Sequence, residues 1–141
     1  MMLMDVNVLV YAHRMDVPDH LLPGMVGRGD RFANGVWFSE LVLSGFIRVV
    51  THPKVFEQPS PLASALAFVD QIRSPEHAMR LVPGSSHWSL FTRCLHATAA
   101  RGNDVPDAYH AALALEWDCD WVTTDKGFRR FKGLRVRHPL K

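Results

Sequence analysis

Residues 105–136 read VPDAYHAALALEWDCDWVTTDKGFRRFKGLRV, and this stretch decides the class of fold. Pro106 opens a segment rich in Ala and Leu, which is typical of a buried helix. Residues 120–123, Asp-Trp-Val-Thr, then predict a short strand. Residues 126–131 predict a single helical turn, and residues 134–137 predict a further strand. Helix, strand, helical turn and strand in this order are typical of an α/β protein.

The same alternation of strand and helix extends back to the amino terminus. Further strands are predicted at 2–4, 35–38 and 79–82. Helices are predicted at 6–14, from Ser39 to 50, from Ser60-Pro61 to 72, from Ser85 or Ser86 to 100, and from Pro106 to 117, with a shorter one within 16–27. No repeat or linker interrupts the pattern. Residues 1–141 are therefore predicted to form a single domain, in which helices cover both faces of a mainly parallel five-stranded sheet.

Composition excludes several classes of protein. Apolar residues make up 48% of the chain and charged residues 21%, which is the mix of a globular protein. Cys94 and Cys119 each lie in an apolar pattern, so we expect buried free thiols and no zinc site. The amino terminus has no basic leader, and the longest apolar stretch, 41–50, contains Arg48. We therefore expect a cytoplasmic protein without a membrane span.

Acidic residues lie at the ends of predicted elements. Asp5 ends the first strand, Glu40 comes two residues after the second, and Asp125 comes two residues after the fourth. Asp107 opens a helix and so also lies at an element end. Because chemistry in parallel sheets gathers beyond the carboxyl ends of the strands, these four side chains can converge on one rim.

Four neighbouring carboxylates need a cation. Each would otherwise resist ionisation because of its neighbours' charge. Mg²⁺ and Mn²⁺ are hard ions that prefer carboxylate and water oxygens. Such ions activate water, orient a phosphate and stabilise the charge on a leaving oxygen. The sequence therefore predicts a Mg²⁺ or Mn²⁺ site for phosphoryl chemistry.

Each acid also has an ordinary structural explanation. Asp5 can cap the helix that follows it, and Asp125 can be a turn residue before Gly127. Glu40 and Asp107 fall in first helical turns, where the macrodipole favours negative charge by about 0.3–1 kcal/mol. The placement of all four at junctions between elements favours the functional interpretation.

These motifs resemble those of PIN-domain ribonucleases. The opening MLMDVNVLVYA (2–12) is similar to the start of these proteins, with their first acid followed by a polar residue two positions on. Ser39-Glu40 before an apolar helix resembles their second acid. The helix D-A-x-x-A-A-L-A and the strand end T-x-D resemble their third and fourth acids. THPKVFEQPSP (51–61) and SSHWSLF (85–91) resemble the bacterial toxin branch called VapC.

The resemblance implies a PIN-like three-layer α/β/α sandwich and endonucleolytic cleavage of RNA with Mg²⁺ or Mn²⁺. It also implies a homodimer and a small antitoxin partner that inhibits the enzyme. By position, the family's catalytic and metal-binding acids match Asp5, Glu40, Asp107 and Asp125. Its supporting polar residues match Asn7 and Thr123.

One departure from the family pattern leaves two questions open. Many relatives carry a further Asp two residues after the fourth acid, where this chain has Gly127, and Lys126 adds a positive charge beside it. The number of metal ions is therefore open, with Asp104 as a candidate replacement. A catalytically inactive PIN-like module that binds RNA or protein is the alternative function. A receiver-type signalling domain is disfavoured, because Asp5 is the one acid after the first strand.

Charge is unevenly distributed along the chain. Residues 1–125 hold 9 Lys/Arg and all 14 Asp/Glu, whereas 126–141 hold 7 Lys/Arg and no acid. We expect the basic end to bind the RNA backbone, and a solvated edge is the alternative. The expected RNA-binding residues are Lys126, Arg129, Arg130 and Lys132, with Arg135 and Arg137 alternating on the last strand.

Overall fold

The computed structural model describes residues 1–14 and 36–140 of the chain. Within them, five strands form one all-parallel sheet in the order β3-β2-β1-β4-β5. The strands are β1 (Met2–Met4), β2 (Val36–Phe38), β3 (Met79–Arg80), β4 (Asp120–Val122) and β5 (Val136–Arg137). The helices are α1 (Val6–His13), α2 (Glu40–Val50), α3 (Leu62–Arg73), α4 (His87–Thr98) and α5 (Asp104–Glu116), and a 3-10 helix spans Lys126–Arg130. The helix predicted within 16–27 lies outside the described residues.

The strand order creates a reversal at the centre of the sheet. The chain moves outward from β1 to β2 and β3, then returns to place β4 on the other side of β1. Because crossovers between parallel strands are right-handed, α1–α3 cover one face of the sheet and α4 and α5 cover the other. Accordingly, α1 packs on α2, α2 on α3, and α4 on α5. The predicted three-layer fold is confirmed, with a sheet that is parallel throughout.

The core fills the space between the sheet and the helices. Leu3, Phe46 and Trp121 are each fully buried. Cys94 and Cys119 are buried free thiols, as predicted. No helix in the described part of the chain is both long enough and apolar enough to cross a membrane.

One predicted helix cap lies at a different residue in the structure, and a second lacks the expected side-chain hydrogen bond. Pro61, not Ser60, is the N-cap residue of α3. The Ser60 hydroxyl instead accepts a hydrogen bond from Arg14 Nη1 at 3.0 Å. Ser86 is the N-cap residue of α4, as predicted, but its side chain makes no capping bond. The backbone N–H groups of Gly84 and Ser86 donate instead to the Glu116 carboxylate, at 2.7 and 2.9 Å.

This arrangement predicts that Glu116 stabilises the start of α4 from the end of α5. Glu116→Ala is expected to lower the free energy of unfolding by about 1–2 kcal/mol, because two backbone donors lose a charged acceptor. Ser86→Ala is the matched control and is expected to have little effect. Urea denaturation of both variants measures the difference, and equal losses would contradict the assignment.

Candidate active site

The reversal of the sheet places the carboxyl ends of β1 and β4 side by side. Met4 pairs with Val122, and the backbone N–H of Asp5 donates to Val122 O at 2.9 Å. Asp5 is therefore the first residue beyond β1, and Thr123 is the first beyond β4. In open α/β sheets, ligands bind at this kind of topological switch point.

Asp5 is a buried carboxylate at the start of α1, with 8% of its surface exposed. Its Oδ1 accepts from the Val6 backbone N–H at 2.7 Å, so it is also the N-cap that the sequence allowed. Its Oδ2 accepts from the Thr123 hydroxyl at 2.6 Å and from Asn7 Nδ2 at 3.2 Å. The capping interpretation of Asp5 is therefore confirmed, and its second carboxylate oxygen is held by side chains from α1 and from the end of β4.

Thr123 and Asn7 connect Asp5 to the loop after β4. The Thr123 hydroxyl accepts from Asn7 Nδ2 at 3.1 Å and from the Asp125 backbone N–H at 3.0 Å. Asn7 Oδ1 accepts from the Thr124 backbone N–H at 3.3 Å. Both predicted supporting residues thus contact the first acid and fix the path of the chain towards Asp125.

Asp107 and Asp125 join Asp5 on the wall of one open cleft of about 420 Å³. Asp125 follows β4, and its Oδ1 accepts from the Gly127 backbone N–H at 2.8 Å, which starts the 3-10 helix. Asp107 lies in the first turn of α5. The rest of the cleft lining consists of Asn7 and apolar or aromatic side chains: Val6, Val10, Tyr11, Val49, Val55, Phe56 and Phe128.

Burial and neighbouring negative charge disfavour the charged forms of Asp5 and Asp107. Burial raises the pKa of Asp5 to about 6, with smaller raising effects from Asp107 and Asp125 and opposing hydrogen bonds from Thr123 and Val6. The pKa of Asp107 is also raised, mainly by burial, while Arg130 lowers it. A cation bound here would remove the repulsion that these shifts reflect.

Arg130 supplies a positive charge at the edge of the cleft. Its Nη2 lies 3.1 Å from Asp107 Oδ2 and 3.6 Å from Asp104 Oδ1, and its Nη1 donates to Gly127 O at 2.6 Å. The structure therefore pairs this predicted RNA-binding residue with two acids. Asp104 lies beside Asp107 without lining the cleft.

Glu40 is not among the residues that line the cleft. It begins α2 after β2, and its carboxylate pairs with Arg73 at 2.8 Å and Arg80 at 3.1 Å. Hydrogen bonds from Arg73 and then Arg80 lower its pKa. Glu40 does not line the cleft, so the structure brings three of the four predicted acids together. Arg73 and Arg80 carried no signal in the sequence, because they come from a different helix and strand.

The basic end of the chain divides into two groups. Lys126, Arg129 and Lys132 are exposed on and after the 3-10 helix, close in sequence to Asp125. Arg135 and Arg137 pair with Asp120 at the start of β4, and Arg135 also pairs with Asp118. In the structure, Arg135 and Arg137 therefore join β5 to β4 through these acids, where the sequence had suggested that they bind RNA together.

His110 is part of the core. It is buried and stacks on Trp121, with ring centroids 5.4 Å apart. Burial lowers its pKa to about 4, so it is neutral near pH 7. The ring does not line the cleft, so His110 packs as a core residue of α5.

The carboxylate oxygens of the cleft are the ligands that hard divalent cations prefer. Asp5, Asp107 and Asp125 line one cleft, and their repulsion favours a bound positive charge. Within residues 1–14 and 36–140, however, no three acidic, His or Cys side chains already stand at metal-binding distances. The three carboxylates are therefore the type of ligand that Mg²⁺ or Mn²⁺ prefers. To bind the ion, their side chains would have to move closer to one another.

Comparisons with known proteins identify the family and agree with the fold. The sequence matches the PIN domain family over residues 2–134. The ribonuclease VapC43 of Mycobacterium tuberculosis is 45% identical over 143 residues, covering 99% of this chain and 96% of the relative. The ribonuclease VapC25 of the same organism is 36% identical over 146 residues, covering 99% and 100%. The chain therefore belongs to the PIN-domain family, in its VapC branch.

Solved structures share the fold at low sequence identity. The structure of VapBC2 from Rickettsia felis bound to a DNA fragment from their promoter matches with a TM-score of 0.66 and 15% identity, covering 98% of each chain. The structure of VapBC-1 from nontypeable Haemophilus influenzae matches with a TM-score of 0.65 and 17% identity over the whole of both chains. The predicted PIN-like architecture is thereby confirmed.

The raised pKa of Asp5 predicts a pH-dependent cost to stability. Between about pH 4 and pH 6, the folded chain holds a proton on Asp5 that the unfolded chain has released. The contribution of Asp5 to the free energy of unfolding is therefore largest at low pH, and it is lost as the pH rises through about 6. Asp5→Asn removes this dependence, so its stability relative to wild type should increase by up to about 3 kcal/mol between pH 4 and pH 7.

Denaturation in EDTA across this pH range measures the effect. Glu40→Gln is the contrasting control, because arginines lower the pKa of Glu40 and the sign reverses. A constant difference between wild type and Asp5→Asn would show that burial does not perturb Asp5.

Proposed function

We propose that this protein is a metal-dependent endoribonuclease toxin that hydrolyses RNA phosphodiesters and is inhibited by a cognate antitoxin. The observation that carries the proposal is the gathering of Asp5, Asp107 and Asp125 with Asn7 in one cleft at the switch point of the sheet. Two full-length relatives at 45% and 36% identity are named ribonucleases, which supports RNA as the substrate.

In the proposed mechanism, Asp5 and Asp107 are the main ligands of Mg²⁺ or Mn²⁺, and Asp125 completes the set. The bound cation would activate a water molecule and stabilise the leaving oxygen. Thr123 and Asn7 keep the Asp5 carboxylate oriented through the hydrogen bonds described above. Lys126, Arg129 and Lys132 hold the RNA backbone beside the cleft by charge.

Glu40 and Arg130 have secondary roles in this proposal. Glu40, the first residue of α2, would complete the acidic ring or hold the attacking water once its carboxylate leaves Arg73 and Arg80, whose hydrogen bonds keep it ionised. Arg130 balances Asp107 in the absence of a cation and becomes available to a phosphate when a cation binds. Gly127 supplies no fifth carboxylate, so the mechanism is proposed with a single cation.

The proposed partners follow from the VapC branch. The fold matches chains in structures named VapBC2 and VapBC-1, in which a second component accompanies VapC, and this supports an antitoxin partner. A homodimer is the proposed assembly. An enzyme that cleaves cellular RNA acts in the cytoplasm, which is the proposed location.

An inactive PIN-like module that binds RNA or protein is the second candidate. Two observations favour it: Arg130 already neutralises Asp107, and the described carboxylates do not form a ready-made metal site. Cleavage assays separate the two candidates.

The first prediction of the proposal concerns cleavage itself. Purified protein with Mg²⁺ or Mn²⁺ should cut a cellular RNA pool into discrete fragments, whereas EDTA or Asp5→Asn should reduce cutting by at least about a hundredfold, since a main ligand is lost. Glu40→Gln should have a smaller effect, because Glu40 lies outside the cleft. Fragment-end mapping should find 5′-phosphates and 3′-hydroxyls. Equal cutting in EDTA or by Asp5→Asn would reject the mechanism, and intact RNA would favour the binding module.

A second prediction concerns the competition between Arg130 and the cation. Arg130→Gln removes the charge 3.1 Å from Asp107, so Mn²⁺ should bind about fivefold more tightly, as for loss of one partly exposed ion pair. Arg129→Gln is the matched control, because no ion pair of Arg129 with an acid is seen in the described residues. Electron paramagnetic resonance of free Mn²⁺ measures the affinity. Unchanged affinity in Arg130→Gln would show that Arg130 does not compete for the site.

A further inference from the structure

Three charged side chains meet near the ends of β2 and β3, outside the lining of the cleft. Glu40 follows β2, Arg80 ends β3 and Arg73 ends α3. One arginine holds each oxygen of the carboxylate: Arg73 Nη1 lies 2.8 Å from Glu40 Oε2, and Arg80 Nη1 lies 3.1 Å from Glu40 Oε1. We call Arg73 and Arg80 the arginine pair. Such an arrangement suits any anion that presents two neighbouring oxygens, phosphate as well as carboxylate.

The arginine pair is positioned by contacts that do not involve Glu40. The guanidinium carbon of Arg73 lies 5.2 Å from the centroid of the Phe38 ring, which is a cation–π contact. The backbone of Arg80 pairs with Phe38 in the ladder between β2 and β3, and the Leu81 N–H donates to Phe38 O at 2.8 Å. Because Phe38 is buried in the core, these contacts remain when the Glu40 carboxylate turns away.

The charges of this cluster do not cancel. Two guanidinium groups face one carboxylate, and within residues 1–14 and 36–140 no second acid lies at ion-pair distance from Arg73 or Arg80. An arginine has five N–H donors, and in the same part of the chain the remaining donors of both arginines have no protein acceptor. The arginine pair can therefore take a ligand with more oxygens and more negative charge than a carboxylate.

The ion pairs of Glu40 are open to solvent. The side chains of Glu40, Arg73 and Arg80 are 50%, 41% and 55% exposed. Exposed ion pairs contribute little to stability, so a second anion can replace Glu40 at small cost to the fold.

We propose that the arginine pair binds a phosphate monoester and that the bound phosphate releases Glu40. Near neutral pH such a group carries about two negative charges and three terminal oxygens, which matches two arginines. A phosphodiester within an RNA chain carries one charge and two such oxygens, as Glu40 does, so it has no advantage in charge over Glu40. The consequence for catalysis rests on the proposed function, because the released Glu40 would then be available to the acidic ring.

Two sources supply a phosphate monoester. One is free phosphate or a mononucleotide, and the other is the 5′-phosphate at the end of an RNA chain. The proposed hydrolysis leaves 5′-phosphates on its products, so the reaction itself would generate such ends. A carboxylate of a partner protein is the competing ligand, but it brings one charge and would leave the second arginine unmatched.

The first test measures phosphate binding in the absence of catalysis. The protein in EDTA is titrated with orthophosphate, uridine 5′-monophosphate or acetate, and NMR follows the arginine side-chain N–H signals. The titrations are made at about pH 7.5, where the monoester is a dianion. Arg73→Gln and Arg80→Gln should each weaken phosphate binding roughly tenfold, because a charged hydrogen-bond donor is lost. Arg93→Gln is the control, since Arg93 is exposed on α4 and has no ion pair in the described part of the chain.

A second variant tests the displacement of Glu40. Glu40→Gln removes the competing charge, so phosphate affinity should rise by up to about fivefold, as for the loss of one exposed ion pair. Asp70→Asn is the matched control, because it removes a negative charge one helical turn from Arg73 that pairs with no described residue. Its effect on phosphate affinity should be clearly smaller than that of Glu40→Gln.

Two RNA probes distinguish the sources of the phosphate. A short oligonucleotide with a 5′-phosphate is compared with the same chain ending in a 5′-hydroxyl, again in EDTA. If the RNA end is the ligand, the phosphorylated chain should bind roughly tenfold more tightly, and Arg73→Gln should abolish the difference. Equal binding of the two chains, together with binding of orthophosphate, would assign the arginine pair to free phosphate.

Three results would overturn the phosphate site. They are acetate binding as tight as that of orthophosphate, an effect of Arg93→Gln equal to that of Arg73→Gln, and an unchanged phosphate affinity in Glu40→Gln. Circular dichroism verifies that each variant is folded. Because binding is measured in EDTA, failure of the metal-loaded protein to cut RNA would reject the proposed function and leave the phosphate site standing.

Discussion

The hydrogen bond from the Thr123 hydroxyl to the Asp5 carboxylate joins the two strands between which the site forms. It is 2.6 Å long and buried, and it links side chains at the carboxyl ends of β1 and β4. The same hydroxyl accepts from Asn7 and from the backbone of Asp125, so one oxygen fixes a carboxylate, an amide and the loop that carries another acid. Without this contact, Asp5 would be a buried charge with a weaker set of partners, and such charges are costly.

Asp5 is well supplied with hydrogen bonds, but its burial still disfavours the charged form of its carboxylate. The carboxylate caps α1 and accepts three hydrogen bonds, yet burial still raises its pKa to about 6. Two further aspartates nearby add repulsion. A site with this electrostatic cost attracts cations, and the chain supplies one of its own in Arg130. The raised pKa values and the Arg130 pair are therefore two consequences of gathering acids in one cleft.

Arginines also determine how the remaining acids are used. Glu40 is held by Arg73 and Arg80, and Asp120 is held by Arg135 and Arg137. The first set joins the start of α2 to α3 and β3, and the second joins β4 to the segment that contains β5. Lys126, Arg129 and Lys132 are exposed on and after the 3-10 helix that follows Asp125, so the basic end of the chain is only partly used in ion pairs within the fold.

The sequence by itself determined the features that depend on local pattern. Alternating strands and helices predicted the parallel sheet. Acids at element ends predicted that Asp5, Glu40, Asp107 and Asp125 would meet, because parallel strands bring their carboxyl ends to one rim, and the structure places all of these except Glu40 in one cleft. Only the tertiary structure decided that Glu40 pairs with arginines, that Glu116 caps α4, and that Phe56 reaches the cleft. These contacts join residues that are far apart in the chain, and their geometry depends on how whole helices pack. No spacing rule within a single helix or strand predicts the geometry of these contacts.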